Sequence, residues 1–523
     1  MVVISKVFPN TYRDSVLLMK IASTVRNKDG VENAEVIIAT ERNKNILFEA
    51  QLLTDDVKNA GINDLIICVM AQDFEKAKKA IHDAEEMLMQ GIIFQETKQI
   101  ARSTSSAFAM LPEANLALIS IPGPYVKKEA LKVLRKGINL LIFSNNVPIE
   151  DEVEIKKLAT ENGLLVMGPD CGTAIINGVV LAFGNKIRKG SIGLIGSSGT
   201  GLQEVSVLIH NLGMGISHAI GTGSSDVSDQ VGGLTMLQGI KLLDADPSTE
   251  IIIVVSKPPG SCTIEKVLNQ LKRCNKPVIA NFLGVYKKSF PEENIFFTVT
   301  LEETALKTAE RIGRLSQIND SCFDNAESVL RREKREKIDL LDTQKYVRGL
   351  FSGGTLATEA CIILRNMAFP VSGNISLDGV TKLVDPKISQ GHCIIDLGAE
   401  EFTLGKPHPM IVPEMRKERL LAEAKDPEVA AILLDFVLGY GVHPDPVGAT
   451  IPYVEMVKQT TQQDGRNLPI VASVCGTDED PQNRSAQVRM LEEHGVIVLP
   501  NNALATRVAA GIALRFSGKC FNG

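Results

Sequence analysis

The stretch SIGLIGSSGTGLQEVSVLI (191–209) decides how the chain folds. An apolar run of strand length enters Ser197-Ser198-Gly199-Thr200-Gly201. After that turn, Leu202, Val205, Leu208, Ile209 and Leu212 recur at helical spacing. Strand, glycine-rich turn and amphipathic helix in series make one half of a βαβ unit. In a parallel sheet, ligands sit at the carboxyl ends of the strands. Glycines let the backbone approach an anion, hydroxyls donate to its oxygens, and the unpaired N–H groups of a helix start add partial positive charge. Ser197, Ser198, Gly199 and Thr200 are therefore candidate phosphate or acyl-phosphate ligands. The same residues also make a plain tight turn, because neither a Walker lysine spacing nor a GxGxxG fingerprint is present.

The pattern recurs on both sides. Before it, Leu116–Ile121 runs into PGPY, Leu140–Phe143 into SNNVP and Leu164–Met167 into GPDCGT, which predicts a parallel sheet over 101–190. The unit that starts at 191 continues through IIIVVSKPPG (251–260) and KPVIANFLG (276–284) and fades near 315. Residues 316–345 are polar and charge-rich, and read as a linker or an equally plausible solvated helix. A further α/β domain over 346–523 places strands at Tyr346–Phe351, Cys393–Asp396, Ala430–Leu438, Ile470–Val474 and Val496–Leu499. Residues 1–100 read as a small α/β module with helices at Ser15–Val25 and Phe74–Met89 and strands at Ala34–Ala39 and Asp64–Met70. The expected fold class is α/β, a series of Rossmann-like and flavodoxin-like parallel-sheet domains behind that module.

Two more loops echo the first, Gly439-Tyr440-Gly441 after AAILLDFVL and Gly476-Thr477-Asp478 after PIVASVC, so Gly439, Gly441, Gly476 and Thr477 join the candidate anion ligands. His408 in GKPHPM and His443 in GVHPDP stand in Pro- and Gly-rich loops, where a histidine is less often plain core packing than on a helix, as His210 and His494 are. Asp396 and Asp435 are strand carboxylates, suited either to an ammonium or amide group or to capping the next helix. Cys171 and Cys475 read as nucleophiles or as small buried hydrophobes, with no base adjacent in sequence.

A length of 523 residues implies three or four domains at about 150 residues each. Lys plus Arg at 56 against Asp plus Glu at 62 leaves a net charge of −6, which excludes a broadly basic surface for nucleic acid or anionic membrane. The 9 cysteines form no CxxC pair, so neither a disulfide framework nor a zinc site is expected, and a reducing cytoplasm fits. No apolar run approaches the roughly 20 residues of a membrane span.

The run from Ser120-Ile-Pro-Gly-Pro-Tyr125 through Gly168-Pro-Asp-Cys171, Ser197-Ser-Gly-Thr200 and Lys276-Pro-Val278 resembles, in order and spacing, the α subunit of succinyl-CoA synthetase. From FSGGTLATEA onward the chain is similar to the C-terminal ligase domain of that enzyme's β subunit, with IIDLGA and FVLGYG in place of its glycine loops. Within this NDP-forming acyl-CoA synthetase superfamily, PDCGTAIING, SGTG followed by QE, SKPP, GGTL and GKPHPMI most resemble the FdrA proteins. The resemblance implies a CoA-like pocket at Pro122, Pro124, Ser144, Asn145, Asn146, Asp170 and Cys171. It also implies a cytoplasmic oligomer that works beside companion carbamoyltransferase subunits in ureide breakdown, on phosphate and a small carbamoyl or acyl donor. The activity implied is that of an oxamate carbamoyltransferase in allantoin and purine catabolism.

Departures from the family pattern sharpen that expectation. The family's phosphohistidine follows the KPV strand, yet IANFLGVYKKSFPEENIFFTVTLEETA contains no histidine. The glutamate that orients that histidine is replaced by Lys257 in VVSKPPG, which suits a fixed anion. Lys257, His408 and His443 are thus the candidate catalytic residues. The glycine-rich CoA loop is missing, which leaves CoA open and no cofactor certain. The nucleotide-binding half is also absent from the roughly 30-residue link, so nucleotide belongs to a partner or is not used. An acyl-CoA synthetase subunit that borrows histidine and nucleotide, and a ligand-sensing module, stand as alternatives.

Overall fold

The computed structural model describes residues 1–11, 13, 15–93, 101–285, 294–314, 340–404 and 406–515. They form two compact units, Met1–Met110 with Thr403–Pro407, and Leu111–Phe402 with His408–Gly523. Of the expected linker, residues 316–339 lie outside the described ones.

The smaller unit is an antiparallel sheet in the order Val2–Phe8, Leu65–Ala71, Val31–Ile38. Its central strand is buried along nearly its whole length, and Ser15–Arg26 and Phe74–Ile93 supply Leu18, Val25, Ala77 and Ala84 to the core. The strand Val2–Phe8 escaped the sequence reading, because its residues are only half buried and carry Ser5 and Lys6 in the middle.

Three sheets make the larger unit. The smallest is parallel, Leu116–Ile119, Asn139–Ile142 and Val166–Met167. A central seven-stranded sheet runs in the order Ile295–Phe297, Val278–Phe282, Ile251–Ser256, Lys189–Gly196, Ile216–Gly221, Thr173–Ile176, Val179–Ala182. Its first five strands are parallel, and the last two form an antiparallel hairpin on the flank. The C-terminal sheet is parallel throughout, in the order Val380–Lys382, Val371–Gly373, His392–Asp396, Tyr346–Phe351, Val429–Val437, Ile470–Cys475, Ile497–Leu499. Strands such as Ile251–Ser256 and Val429–Val437 are buried at every residue, as expected where helices cover both faces.

Numbered within each domain, the five core strands of both larger sheets follow the order 2-1-3-4-5, which is flavodoxin-like. The first strand sits in the middle of each sheet and feeds a helix, Gly199–Asn211 in one and Gly354–Asn366 in the other. One continuous apolar cluster takes Leu194, Val205 and Ile253 from the central domain together with Phe351, Leu356 and Leu433 from the C-terminal one. The two domains therefore bury their faces in a shared core. No described helix is long and apolar enough to cross a membrane.

Where the small parallel sheet meets the central domain, Lys156 is 1% exposed. Its ammonium bonds Glu152 (2.7 Å), Asp226 (2.8 Å) and the Thr222 carbonyl (3.0 Å). Asp226 in turn accepts from the N–H groups of Thr235 and Met236 at the start of helix Leu234–Ala245. Removing one partner of a buried ion pair strands the others without water. Lys156→Met is expected to destabilise the chain by about 3–5 kcal/mol, seen as a lower urea midpoint, whereas Lys127→Met at the exposed pair with Asp151 and Glu154 should shift it little.

Candidate functional site

Both larger sheets end their first strand in a hydroxyl- and glycine-rich turn, Ser197-Ser198-Gly199-Thr200 and Ser352-Gly353-Gly354-Thr355, and the two helices that follow start face to face. The Ser198 and Thr355 hydroxyls stand 2.5 Å apart, and the Thr355 N–H donates to Thr200 Oγ1 at 3.3 Å. Ser198 also caps its own helix by accepting from Gly201 N–H at 3.1 Å. A Cβ on Gly201 would stand 2.3 Å from Ser198 Oγ and 2.9 Å from Thr355 Cγ2, so only glycine lets the turns approach this closely. The second turn was legible as part of the FdrA resemblance, but its hydroxyl was not read as a site residue.

The helix starts differ in what already faces them. At the second, the fully buried Asp435 accepts from Ser352 N–H (2.7 Å), Gly353 N–H (2.8 Å) and Ser352 Oγ, and the Arg416 guanidinium bonds the same carboxylate at 2.5 Å. Asp435 thus holds the turn that leads into the helix of the first strand and does not cap the next helix along the chain; that one, Pro446–Gln463, is capped by Asp445. Asp396 Oδ2 lies against Gly354, 2.5 Å from where a Cβ would be, and Oδ1 accepts from Gly398 N–H. Burial pushes the Asp396 carboxyl up to about 7, with Lys257 pulling it down and Asp435 and Glu401 adding to the rise. At the first helix start, the N–H groups of Gly199 and Thr200 make no hydrogen bond to protein among the described residues. Ser197 Oγ there accepts from Lys257 N–H at 3.0 Å and contacts Ser256 Oγ. Lys257 itself is exposed at the end of its strand.

Behind the turns, each helix sends a buried glutamate six residues past its cap into the opposite domain. Glu359 accepts from Leu301 N–H (2.6 Å), the first residue of the central domain's last helix, and from Asn502 Nδ2 (2.7 Å). Glu204 accepts from Asn502 N–H at 3.2 Å, the first residue of the C-terminal domain's last helix. Neither glutamate was singled out as a site residue by sequence reasoning, although Glu204 closes the SGTG-QE run and Glu359 stands in FSGGTLATEA, because their partners lie at least 58 residues away in the chain.

The remaining candidates fall into two groups. Gly439, Gly441 and Thr477 line a seam with residues 182–186, and Gly476 packs against Leu438. Tyr440 N–H donates to the Gly184 carbonyl, a Cβ on Gly439 would meet that oxygen at 2.2 Å, and Gly441 packs on Phe183. Thr477 spends its hydroxyl on the Lys186 carbonyl and its N–H on Asp480, which also holds Asn185. These loops dock one domain on the other, and the N–H groups of Gly439, Tyr440 and Thr477 and the Thr477 hydroxyl are committed to protein. Pro122, Pro124, Ser144, Asn145, Asn146 and Asp170, by contrast, gather at the carboxyl ends of the small parallel sheet. Ser144 Oγ accepts from Ile121 N–H, its carbonyl accepts from Asp170 N–H, and Gly123 abuts the Asn145 and Asn146 carbonyls. Cys171 is buried behind them with its thiol pushed up to about 12, and burial likewise raises Cys475, which bonds Glu204, so neither is a thiolate nucleophile. His408 stands beside Gly398, and His443 is tied to the same loop through Met410.

Burial raises the Glu359 carboxyl from its ordinary 4.5 to about 7. A carboxyl whose folded pKa is raised holds more protons in the folded state between the two values, so stability falls as pH rises through that window. Glu359→Gln, which keeps the neutral shape, is expected to flatten that part of the decline in thermal midpoint between pH 4.5 and 7; an unaltered slope would mean that Glu359 is already charged in the folded chain.

Comparison with known proteins places these features in a family. The profile of the CoA-ligase family matches residues 350–512, that of the CoA binding domain matches 187–282, and that of the AllF heavy metal-associated domain matches 1–103. Residues 1–103 do not fit a heavy metal: their single cysteine, Cys68, is buried with its thiol pushed up to about 12. No cluster of three metal-ligating side chains occurs among the described residues. The succinate–CoA ligase (ADP-forming) α subunit of Aquifex aeolicus is 29% identical over 206 residues, 38% of this chain and 64% of that one. ATP citrate lyase from Methanothrix soehngenii, solved with citrate and coenzyme A, aligns over 81% of each chain at 12% identity and a TM-score of 0.34. An uncharacterized protein of Escherichia coli K12, YahF, is 43% identical over 490 residues, 94% of each chain. On the strength of that relative and the three domain matches, this chain belongs to the FdrA family within the acyl-CoA synthetase superfamily.

Proposed function

We propose that the chain is a subunit of a complex that transfers a carbamoyl or acyl group to or from phosphate, and specifically of an oxamate carbamoyltransferase acting on oxalurate. The observation that carries the proposal is the pair of facing helix starts, one covered by Asp435 and Asp396 and the other with open N–H groups at Gly199 and Thr200. An inorganic phosphate fits the uncovered start, where the hydroxyls of Ser198 and Thr200 and the ammonium of Lys257 add to the helix field. With no histidine at the family's relay position, a phosphate oxygen attacks the carbamoyl carbon directly, the bond from that carbon to the oxamate nitrogen breaks, and the nitrogen takes up a proton. Carbamoyl phosphate and oxamate leave. The helix dipole and Lys257 hold the nucleophile in place, so positioning and charge supply most of the catalysis.

Companion subunits complete the site in this reading. Relatives such as the Aquifex aeolicus protein are named as subunits, and the chain carries no counterpart of a nucleotide-binding half. A second reading, an acyl-CoA synthetase subunit whose partner brings histidine and nucleotide, draws on the CoA binding profile at 187–282. Tight CoA binding in calorimetry favours it; a cytoplasmic complex turning over carbamoyl donors without CoA favours the first.

A Cβ at Gly199 meets only Thr173 Oγ1, at an ordinary 3.5 Å, so the fold accepts a side chain there while the phosphate cradle does not. Gly199→Val is expected to weaken phosphate binding and phosphate-dependent turnover by about tenfold or more with an unchanged thermal midpoint. Unchanged phosphate dependence would reduce the turn to a connector. Labelled carbamoyl phosphate or γ-labelled ATP should leave no acid-labile, base-stable label on this subunit during turnover; such a label on any of its 7 histidines would restore a relay.

A further inference from the structure

Two His-Pro turns fix the tautomer of the loop histidines. In His408-Pro409-Met410 the Met410 N–H donates to His408 Nδ1 at 3.2 Å, and in His443-Pro444-Asp445 the Asp445 N–H donates to His443 Nδ1 at 3.0 Å. A ring nitrogen that accepts an N–H carries no proton of its own, so each neutral ring holds its proton on Nε2. The two turns are joined, because His443 N–H donates to the Met410 carbonyl at 2.9 Å.

For His408 the consequence is a donor of fixed direction. Burial lowers its pKa to about 4, with Arg416 adding to the fall and Asp435 opposing it, so the ring is neutral at physiological pH. Its Nε2 makes no hydrogen bond among the described residues and lies 2.5 Å from the point where a Cβ on Gly398 would stand. The Ser352 carbonyl and Asp396 Oδ1 lie 2.9 and 3.1 Å from that point, so the absence of a side chain at 398 lets these three polar atoms gather on one glycine. Asp396 Oδ1 is occupied by Gly398 N–H, while Oδ2, against Gly354, makes no hydrogen bond among the described residues.

One N–H donor beside one open carboxylate oxygen is the complement of an amide, which offers a carbonyl and an N–H side by side. A carboxylate offers only acceptors, which satisfy His408 but are opposed by Asp396 once it is ionised, above about pH 7. We propose that His408 and Asp396 read a primary amide or ureido group at the start of helix Gly354–Asn366, His408 Nε2–H binding its carbonyl oxygen and Asp396 Oδ2 its N–H. The inference rests on the phosphate-dependent carbamoyl transfer proposed above and names the group of the donor that this side of the site reads: its amide or ureido group, not a carboxylate. His408 acts there as a neutral donor, neither a phosphoryl carrier nor a general base. Arg416 is a positioning residue, holding Asp435 and the Ser352 hydroxyl beside the pair.

The test uses the full-length chain and two near-isosteric probes, oxamate, which carries an amide, and oxalate, which carries a carboxylate in its place, each titrated calorimetrically alongside inorganic phosphate. Oxamate should bind at least about tenfold tighter than oxalate, because a site built to hydrogen-bond a group rejects the analogue that lacks it. His408→Ala and Asp396→Ala should each cost about tenfold or more in oxamate affinity. His408→Gln, which keeps an N–H near the Nε2 position, should stay within about threefold, and Asp396→Asn, which replaces the acceptor by a donor, should shift the preference toward oxalate. Histidine ring nitrogen shifts at pH 7 should show His408 neutral and protonated on Nε2. Equal or tighter oxalate binding, no binding of oxamate to the wild-type chain, a His408→Ala variant of undiminished affinity, or a charged His408 ring would each overturn the proposal. Phosphate binding that persists without an oxamate preference sinks this inference alone, whereas oxamate preference without phosphate binding sinks the phosphate reading and leaves the amide pair standing.

Discussion

Two helices that begin nose to nose are an electrostatic problem, since each start carries about half a positive charge and like ends repel. The contact between Ser198 and Thr355 at 2.5 Å makes this arrangement the constraint on which the larger unit turns. The chain answers half of it with its own carboxylates. Asp435 and Asp396 face the start of Gly354–Asn366, and the Arg416 guanidinium pairs with the buried, hydrogen-bonded Asp435. On the proposed reading the other half is left to a bound anion, because no carboxylate accepts from the N–H groups of Gly199 and Thr200 among the described residues. Deeper in, Glu204 and Glu359 cross between domains and cap the opposite domain's last helix, which ties four helix starts to one buried carboxyl pair. A shared apolar core then holds what the polar contacts align.

Each domain repeats the 2-1-3-4-5 order, and that repetition explains why both switch points, where the first and third strands part, converge on one place. What differs is the use made of the loops. In the central domain the first and third strands end in Ser197 and Lys257, a hydroxyl and a cation at an open helix start. In the C-terminal domain they end in Ser352 and Asp435, a hydroxyl and an anion at a covered one. The site is polar in a directional sense, with positive charge on one side and carboxylates on the other, which suits an anionic nucleophile meeting a neutral amide.

Much of this was legible in the sequence. Fully buried parallel strands announce themselves as unbroken apolar runs, so Ile251–Ser256, Val429–Val437 and Ile470–Cys475 emerged within a residue or so of their ends. Strands at the flanks did not, because Val371–Gly373 and Val380–Lys382 are short and the hairpin Thr173–Ala182 carries a polar turn at Asn177. Ser197–Thr200 could be read locally, since a strand, a turn and a helix are contiguous. Gly439, Gly441 and Thr477 share that local grammar yet serve a seam, because only the fold brings Gly184 and Lys186 against them. Glu359 was illegible as a site residue because Leu301 and Asn502 lie 58 and 143 residues away in the chain, and Asp435, read as an amide or ammonium ligand or a cap for the next helix, instead holds the Ser352-Gly353 turn more than 80 residues before it.

The absence of the relay histidine then follows a physical logic. A phosphohistidine carries a phosphoryl group between sites that cannot be occupied at once, and it needs a carboxylate to hold the imidazole in its nucleophilic tautomer. On the proposed reading the facing helix starts bring two ligand positions, one at Gly199 and one at Gly354, onto turns already in contact through Ser198 and Thr355. Nothing has to be carried. What the site needs is an anion held still and an acyl carbon held against it, and a lysine in place of the orienting glutamate serves the first need where a carboxylate would repel phosphate. On that reading His408, whose Nδ1 accepts from Met410 N–H within its own His-Pro loop, stands on the acyl side as an Nε2–H donor, the role left for an imidazole that no longer carries the phosphoryl group.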